Sequence, residues 1–193
     1  MMLASSSPRR RLLLDEHGIP HVAHAPHVDD GGLASGAVAP GHWVSALAWF
    51  KAAAGARSNP DFRGTVLGAD TVCVLDGSII GKPTDEAHAR AMIRSFENRP
   101  HEVITGVALY DLERGRRTIF SDEATVRVGS IGEDRIASYV ATGAWQGKAG
   151  AYNLRDRIEA GWPIEFEGDP TTVMGLPMRK LVEQLQAFEE AWA

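Results

Sequence analysis

The chain has 193 residues, a net charge of −5 and 44% hydrophobic residues, which fits one globular domain with a sizeable core over residues 1–193. The acidic balance argues against a protein that coats a nucleic acid polymer, so a phosphate site here must be a local basic patch. No run approaches the roughly 18 apolar residues of a membrane span, and the N-terminus has its apolar residues before its arginines, the reverse of a signal peptide. Cys73 is the only cysteine, which excludes an intrachain disulfide. We therefore expect a cytoplasmic protein.

Hydrophobic periodicity and turn residues predict strands that alternate with helices. In chain order these are a strand at 2–5, a helix at 8–17, a strand at 21–25, a loop at 26–41, a helix at 43–56, a strand at 65–75, a helix at 85–96, strands at 101–112 and 122–128, a helix at 133–142, a strand at 162–166 and a helix at 176–192. Asp76-Gly77 and Arg114-Gly115 mark turns, so several strands are hairpin-paired. The expected fold class is α/β with a mixed sheet.

The segment LASSSPRR at 3–10 places three serines and two arginines between the first strand and the first helix. Free N–H groups and the positive dipole end at a helix start attract anions. Arg9 and Arg10 add forked donors that suit phosphate. We assign Ser7, Arg9 and Arg10 to substrate binding; the alternative is a serine N-cap beside solvated arginines.

Asp70 lies inside the β-rich run 66–74. Burying a carboxylate is costly unless it is paired, hydrogen-bonded or bound to a metal, so Asp70 is the candidate catalytic or metal-binding carboxylate. The alternative is a strand-end aspartate that faces solvent. Gly68 and Ala69 are small, which lets another group approach the backbone. Cys73 points opposite to Asp70 in a regular strand and is typical of a small buried hydrophobe rather than a nucleophile.

Two lysines lie in segments rich in small residues. Lys82 follows Gly81 but does not belong to a Walker loop, because the glycine spacing differs and no Ser or Thr follows it; a solvated lysine is the alternative. Lys148 lies in GKAGAY at 147–152, where small residues let a backbone lie close to a ligand and the lysine can meet a phosphate. The segment NRPHEVITG at 98–106 is interpreted as a turn, and VMGLP at 173–177 as the structural start of the last helix.

Four closely spaced histidines, at 17, 21, 24 and 27, suggest a metal site. Gly18-Ile19-Pro20 interrupts any helix, so the spacing does not place them on one face. A histidine metal site is therefore disfavoured.

The motifs occur in a fixed order across residues 3–181: LASSSPRR, Lys51-Ala52, GADTV at 68–72, GKP at 81–83, His101 with Thr105-Gly106, KAGAY at 148–152 and VMGLP. This ordered set resembles the Maf family of nucleoside triphosphate pyrophosphatases. The resemblance implies an elongated α/β fold similar to that of inosine triphosphate pyrophosphatases, with a central cleft between two lobes. It also implies hydrolysis of a nucleoside triphosphate to a monophosphate and pyrophosphate, a divalent metal, a cytoplasmic location and, commonly, a homodimer.

The resemblance also implies roles for individual residues. Asp70 matches the proton acceptor of the family's ADT motif. Arg9, Thr71 and Arg155 match positions linked to substrate choice, and Arg9 directly after Ser-Pro matches the branch that acts on dTTP and UTP. The remaining assignments are phosphate binding by Arg9, Arg10, Lys82 and Lys148, assistance by Lys51, and Mg²⁺ or Mn²⁺ binding by Asp70 with Asp30.

Three positions depart from the family pattern. Asp29 or Asp30 stands where the family usually has Glu, and Thr172 stands where it has Asn. Arg155 replaces the usual glutamine. Arginine only donates, so at the base it would favour guanine or cytosine acceptors over the N3–H of uracil or thymine.

Arg155 has a second interpretation, in which its side chain turns outward or pairs with Asp156 or Asp169. The function also has an alternative, a nucleotide-binding regulator of septum formation with little turnover. Asp70 discriminates against that alternative, because a pure binder has no need of a carboxylate that repels phosphates.

Overall fold

The computed structural model describes residues 1–28 and 33–190. Its described strands are β1 (Met2–Leu3), β2 (Val22–Ala23), β3 (Thr65–Leu75), β4 (Ser78–Ile80), β5 (Arg99–Asp111), β6 (Arg116–Val128) and β7 (Ile164–Glu167). The described helices are α1 (Pro8–Glu16), α2 (Pro40–Ser58), α3 (Glu86–Phe96), α4 (Glu133–Ala141), α5 (Leu154–Glu159), α6 (Pro170–Met174) and α7 (Met178–Glu190), with a 3-10 turn at Ala149–Ala151. Within these ranges no helix is both long and apolar enough to cross a membrane.

The strands form one mixed sheet in the order β2-β1-β3-β5-β6-β7, with β4 paired to β3 off this path. β1 runs parallel to β2 and β3, whereas β3, β5, β6 and β7 are antiparallel to their neighbours. The long β5–β6 hairpin pairs continuously from Arg99 opposite Val128 to Asp111 opposite Arg116. The expected α/β class with a mixed sheet is confirmed, and helices flank the sheet.

Helix α2 packs against the sheet at two glycines. A Cβ added at Gly68 would lie 2.2 Å from the carbonyl oxygen of Ala48, and one at Gly106 would lie 2.6 Å from the backbone of Val44. Only residues without a side chain allow the helix this close. The group that approaches the backbone at Gly68 is therefore helix α2.

Two hydrophobic clusters lie at opposite ends of β3 and β5. Leu67 and Leu109 pack with α1 and α7 at one end, in a cluster that includes Leu13 and Leu181. Cys73 and Val103 belong to the cluster at the other end, which includes residues of α3 and α4. The stretch of β3 between these clusters contains Asp70 and Thr71.

The chain enters its last helix later than the sequence predicts. The predicted helix at 176–192 begins at Met178, and a separate short helix, α6, precedes it. Gly175 ends α6 in the left-handed region, with φ of 114°, and Pro177 follows directly. These two residues separate the helices and produce a sharp turn.

Candidate active site

A gap in one edge of β3 opens a cleft. On this edge β1 pairs with Val66 and Leu67, and β4 pairs from Cys73 onward. Among the described strands, none pairs with residues 68–72 on that side, while β5 covers the other edge throughout. The cleft beside this gap has a volume of about 550 Å³, which is within the range of small-molecule sites.

The cleft concentrates positive charge in an acidic protein. Of the described residues that line it, five are basic and one is a carboxylate, whereas the whole chain carries −5. Such a local excess attracts anions. The basic residues are Arg9, Arg10, Lys51, Lys82 and Lys148, and the carboxylate is Asp70.

The start of α1 forms one wall of the cleft. Ser7 is its N-cap, and its Oγ accepts a hydrogen bond from the backbone N–H of Arg10 at 3.5 Å. Ser7 and Arg9 both line the cleft. The serine cap and the anion-attracting helix start are therefore the same feature, because a capped helix still presents its positive dipole end.

Arg10 ties three parts of the wall together. Its side chain is buried, and its Nε donates to the carbonyl of Gly175 at 2.9 Å, Nη1 to Ser5 Oγ at 3.0 Å and Nη2 to Thr71 Oγ1 at 3.2 Å. Burial lowers the pKa of Arg10, and the charge of Asp70 opposes that shift. Three of its five N–H donors thus form hydrogen bonds within the protein. Arg10 therefore holds the cleft wall together and also adds a positive charge to it.

Lys51 and Asp70 form an ion pair at the sheet surface. Lys51 projects from α2 and its Nζ bonds Oδ1 of Asp70. The two side chains are only 18% and 17% exposed. A carboxylate has two oxygens, so a bond through Oδ1 does not exclude a water molecule or a cation at Oδ2. Asp70 is therefore a paired, largely buried carboxylate and not the solvent-facing aspartate of the alternative interpretation.

Lys82 and Lys148 lie on loops that are joined to each other. The backbone N–H of Gly150 donates to the carbonyl of Gly81 at 3.2 Å. Lys148 Nζ bonds the carbonyl of Ala144. Burial lowers the pKa of Lys148, and the positive charge of Arg9 lowers it further. Lys148 and Arg9 are therefore close enough for their charges to repel, which a bound anion would relieve.

The KAGAY segment has an unusual backbone. Gly150 and Ala151 both have positive φ, 71° and 66°, a region that non-glycine residues rarely adopt. Ala151 is fully buried, and its carbonyl accepts a hydrogen bond from the Tyr139 hydroxyl at 2.9 Å. These contacts hold the strained segment that carries Lys148.

His101 is a cleft residue whose segment the sequence analysis interpreted as a turn. It is 2% exposed and stacks on Phe96 with ring centroids 4.2 Å apart. Its Nε2 is 2.8 Å from the Tyr152 hydroxyl, while its Nδ1 is buried without a partner. Burial lowers the pKa of His101 to about 4, so the ring is neutral near pH 7. The predicted strand at 101–112, which places His101 on the same face as Val103 and Thr105, was the available signal.

Cys73 is chemically quiet despite lining the cleft. It is 3% exposed, and burial raises the pKa of its thiol to about 12. The thiol is the weakly reactive form. The interpretation as a small buried hydrophobe is confirmed.

The VMGLP segment belongs to the site and does not serve only to start a helix. Val173, Met174 and Gly175 line the cleft. The Gly175 carbonyl accepts the bond from Arg10 Nε. The structural interpretation of this segment was therefore incomplete, because residue spacing does not reveal a contact 165 positions away.

Arg155 is not brought to the cleft. Its side chain is 51% exposed and pairs with Glu16 at 3.2 Å and Glu159 at 3.3 Å. The interpretation in which the Arg155 side chain turns outward is therefore confirmed. Its partners are Glu16 and Glu159 rather than Asp156 or Asp169. Glu16 lies 139 positions away, so its approach was not predictable from spacing.

The donors for a divalent cation are limited in the described part of the chain. Asp30 lies outside the described residues, and within them no three His, Cys, Asp or Glu residues cluster as a metal site. Two of the four clustered histidines contact other groups: His17 Nδ1 lies near the carbonyl of Leu13, and His24 Nε2 near the hydroxyl of Ser58. Mg²⁺ is commonly held by one or two carboxylates together with substrate phosphates, so Asp70 fits a cation shared with a bound nucleotide.

Comparison with known proteins found similarity to a family model, to curated relatives and to a solved structure. The family model described as Maf-like protein matches residues 1–188. The chain is 39% identical over 97% of its length to a dTTP/UTP pyrophosphatase of Salinibacter ruber, covering 90% of that protein. It is 41% identical to one of Symbiobacterium thermophilum, covering 97% of this chain and 93% of that protein. A solved Mycobacterium abscessus nucleoside-triphosphatase / dITP/XTP pyrophosphatase is similar over 66% of this chain and 71% of that chain, with a TM-score of 0.41 and 13% identity.

Proposed function

This chain belongs to the Maf family, and we propose that it hydrolyses nucleoside triphosphates, with dTTP and UTP preferred, to the nucleoside monophosphate and pyrophosphate. The relatives that carry the name dTTP/UTP pyrophosphatase match 97% of the chain. Arg9 directly after Ser7-Pro8 supports the same branch.

The observation that carries the proposal is the arrangement, among the described residues of the cleft, of five basic residues around one carboxylate. A triphosphate tail carries about four negative charges. The net positive charge of the five basic side chains and the one carboxylate is of similar size, so the cleft and the tail are complementary. Removal of water from such a cleft strengthens each electrostatic contact. A site for a neutral metabolite would have no need of this charge excess.

Asp70 acts as the general base. It is the carboxylate that the described part of the cleft wall contains, and its ion pair with Lys51 fixes the position of the side chain. It accepts a proton from a water molecule as that water attacks the phosphorus. Lys148, Lys82 and Arg9 hold the phosphates and stabilise the charge that develops on the leaving pyrophosphate.

Asp70 together with substrate phosphates would hold a divalent cation, Mg²⁺ or Mn²⁺. When bound there, the cation neutralises phosphate charge and makes a coordinated water easier to deprotonate. Lys51, which already contacts Asp70, keeps the carboxylate aligned for either task.

Product analysis tests the proposal. The purified protein is incubated with UTP, dTTP, CTP and GTP in the presence of Mg²⁺ or Mn²⁺, and nucleotides and phosphates are separated by chromatography. We expect UMP or dTMP with an equal amount of pyrophosphate, and loss of activity in excess chelator. Diphosphate with orthophosphate would contradict the proposal, and tight binding without turnover would favour the regulator.

A further inference from the structure

A buried histidine holds the tyrosine that ends the KAGAY segment. His101, near the start of β5, is 2% exposed, and its Nε2 lies 2.8 Å from the Tyr152 hydroxyl. The His101 ring stacks on Phe96, and the Tyr152 ring meets Phe96 edge-on with centroids 6.1 Å apart. Burial lowers the pKa of His101 and raises the pKa of Tyr152, so both groups are neutral near pH 7. The contact is therefore a hydrogen bond between two neutral groups within an aromatic cluster.

This imidazole is a costly choice for a buried position. Nδ1 of His101 has no hydrogen-bond partner among the described residues. A buried polar atom without a partner destabilises the folded protein, and an apolar side chain of similar size would fill the space without that cost. The contribution that only a polar ring makes here is the bond between Nε2 and Tyr152.

Tyr152 follows a turn that a chain does not readily adopt. Gly150 and Ala151 both have positive φ, and the left-handed region is unfavourable for alanine. Such a backbone persists only where surrounding contacts hold it. In the described part of the chain, two side chains bond the end of this turn: Tyr139 donates to the carbonyl of Ala151 at 2.9 Å, and His101 bonds the Tyr152 hydroxyl.

Lys148 lies at the other end of the same turn. The backbone N–H of Ala151 donates to the Lys148 carbonyl at 3.1 Å, so the turn joins the lysine directly to the residue before Tyr152. Lys148 lines the cleft, and its Nζ bonds the carbonyl of Ala144, which occupies one of its three N–H donors. A displacement of Tyr152 would therefore reach this lysine through a single turn of backbone.

From these contacts we infer that His101 is a positioning residue, which fixes the 149–151 turn through its hydrogen bond to Tyr152 and so places Lys148 for the substrate phosphates. The inference rests on the proposed function, in which Lys148 holds the phosphates. It explains how the protein keeps one cation of that site in place on a strained loop.

Steady-state kinetics with Tyr152→Phe and His101→Leu tests the inference. Phenylalanine removes only the hydroxyl, and leucine removes the imidazole while keeping an apolar side chain in the cluster. We expect kcat/KM for UTP to fall at least about tenfold in both variants, because a group misplaced by about 1 Å can cost on the order of 100-fold in rate. Inhibition by UMP should change by less than about threefold, whereas a general loosening of the fold would weaken UTP turnover and UMP binding together.

A double-mutant cycle with Lys148→Met shows whether the hydrogen bond acts through this lysine. Without the lysine, the position of the turn no longer matters to the phosphates. Tyr152→Phe should therefore lower kcat/KM for UTP by less than about twofold in the Lys148→Met background. If Tyr152 instead acted independently of Lys148, the two losses would multiply.

Two variants serve as controls for these effects. His101→Gln places an amide near the position of Nε2 and is expected to keep kcat/KM within about threefold of the wild type. Tyr110→Phe removes a hydroxyl at the other end of β5, from a residue that is not in the described cleft lining, and should behave as the wild type. Hydrogen exchange in peptides that cover 147–152 should be faster in Tyr152→Phe and His101→Leu than in either control. Thermal unfolding shows whether each variant is folded.

The outcomes separate the inference from the proposed function. An unchanged kcat/KM in folded Tyr152→Phe would overturn the inference and leave the proposed function standing. Losses that multiply with that of Lys148→Met, or unaltered hydrogen exchange at 147–152, would overturn it equally.

Calorimetric binding of inorganic triphosphate repeats the cycle without turnover. Suppose that Tyr152→Phe weakens triphosphate binding only when Lys148 is present, in a protein that does not hydrolyse UTP. The inference would then stand and the proposed function would be refuted. A wild type that neither hydrolyses UTP nor binds triphosphate would refute both.

Discussion

Lys51 on α2 reaches Asp70 on β3 because the helix lies unusually close to the sheet. Asp70 is directly opposite Gly106 in the β3–β5 ladder, and Gly68 lies two residues before it. Both glycines face the backbone of α2, which would collide with any side chain there. The position of the ion pair in the cleft thus depends on residues that have no side chain.

Replacement of Asp70 by asparagine is expected to abolish turnover without unfolding the protein. Asn keeps the size of the side chain and removes its charge and basicity. Loss of a general base alone lowers kcat by about 10²- to 10⁴-fold. The measurement is kcat for UTP, with thermal unfolding as the test of folding.

Asp76→Asn is the matched control for this experiment. Asp76 follows β3 directly, is 68% exposed and pairs with Arg99 at the surface. Exposed ion pairs contribute roughly 0–1 kcal/mol to stability, so this variant is expected to behave as the wild type. An Asp70→Asn enzyme within threefold of the wild-type kcat would remove Asp70 from the mechanism.

Lys148→Met is expected to weaken catalysis on triphosphates more than it weakens monophosphate binding. Lys148 shares its surroundings with the charge of Arg9, as a phosphate-binding lysine does. A hydrogen bond to a charged group contributes about 1.5–3 kcal/mol, so kcat/KM for UTP should fall roughly 10- to 150-fold. Inhibition by UMP, measured in the same assays, should change less.

Lys180→Met provides the comparison for Lys148. Lys180 is a lysine outside the cleft lining, and it bonds the carbonyl of Ser121 at 2.7 Å. Its replacement should leave kcat/KM for UTP nearly unchanged. Equal losses of UTP turnover and UMP binding in Lys148→Met would move this lysine away from the transferred phosphates.

Much of the fold follows from the sequence, because strong local signals decide it. β3 has the predicted bounds, and α1 begins at Pro8, since a proline start and an apolar run are unambiguous. β6 begins at Arg116 rather than at 122, because its polar first half is stabilised by pairing with β5 and not by an apolar pattern. Stabilisation by pairing with another strand depends on the tertiary structure, so the sequence of β6 alone does not reveal where this strand begins.

The site was less predictable than the fold. Motif order placed Ser7, Arg9, Asp70 and Lys148 in one cleft, as expected. Two of the three hydrogen bonds that Arg10 donates, to Gly175 and Thr71, join segments that are far apart in the chain. Spacing carries no information about such contacts.

The buried His101 should make stability depend on pH. Its folded pKa of about 4 is below the ordinary 6.5, so the unfolded chain binds a proton more readily than the folded protein. The contribution of His101 to the free energy of unfolding is therefore fully present above pH 6.5. It decreases as the pH drops from 6.5 toward 4, by about 3 kcal/mol in all.

Urea unfolding at pH 7.5, 6 and 5 measures this effect. His101→Gln keeps a polar partner for Tyr152 but does not titrate, so its free energy of unfolding should fall less than that of the wild type over this range. The difference between the two proteins removes the contribution of other groups. A constant difference across the three values would contradict a neutral, buried His101.

Arg155→Gln tests whether this position reads the base in this chain. Arg155 is half exposed and held outside the cleft by Glu16 and Glu159, and these bonds raise its pKa. Because the guanidinium is engaged there, the substitution is expected to leave the ranking of kcat/KM for dTTP, UTP, CTP and GTP unchanged, with each value within about twofold of wild type. Lost surface ion pairs should lower the free energy of unfolding by less than about 1 kcal/mol. A one-hydrogen-bond contact with the base would instead change the UTP-to-CTP ratio severalfold, and such a shift would show that Arg155 swings into the cleft when nucleotide binds.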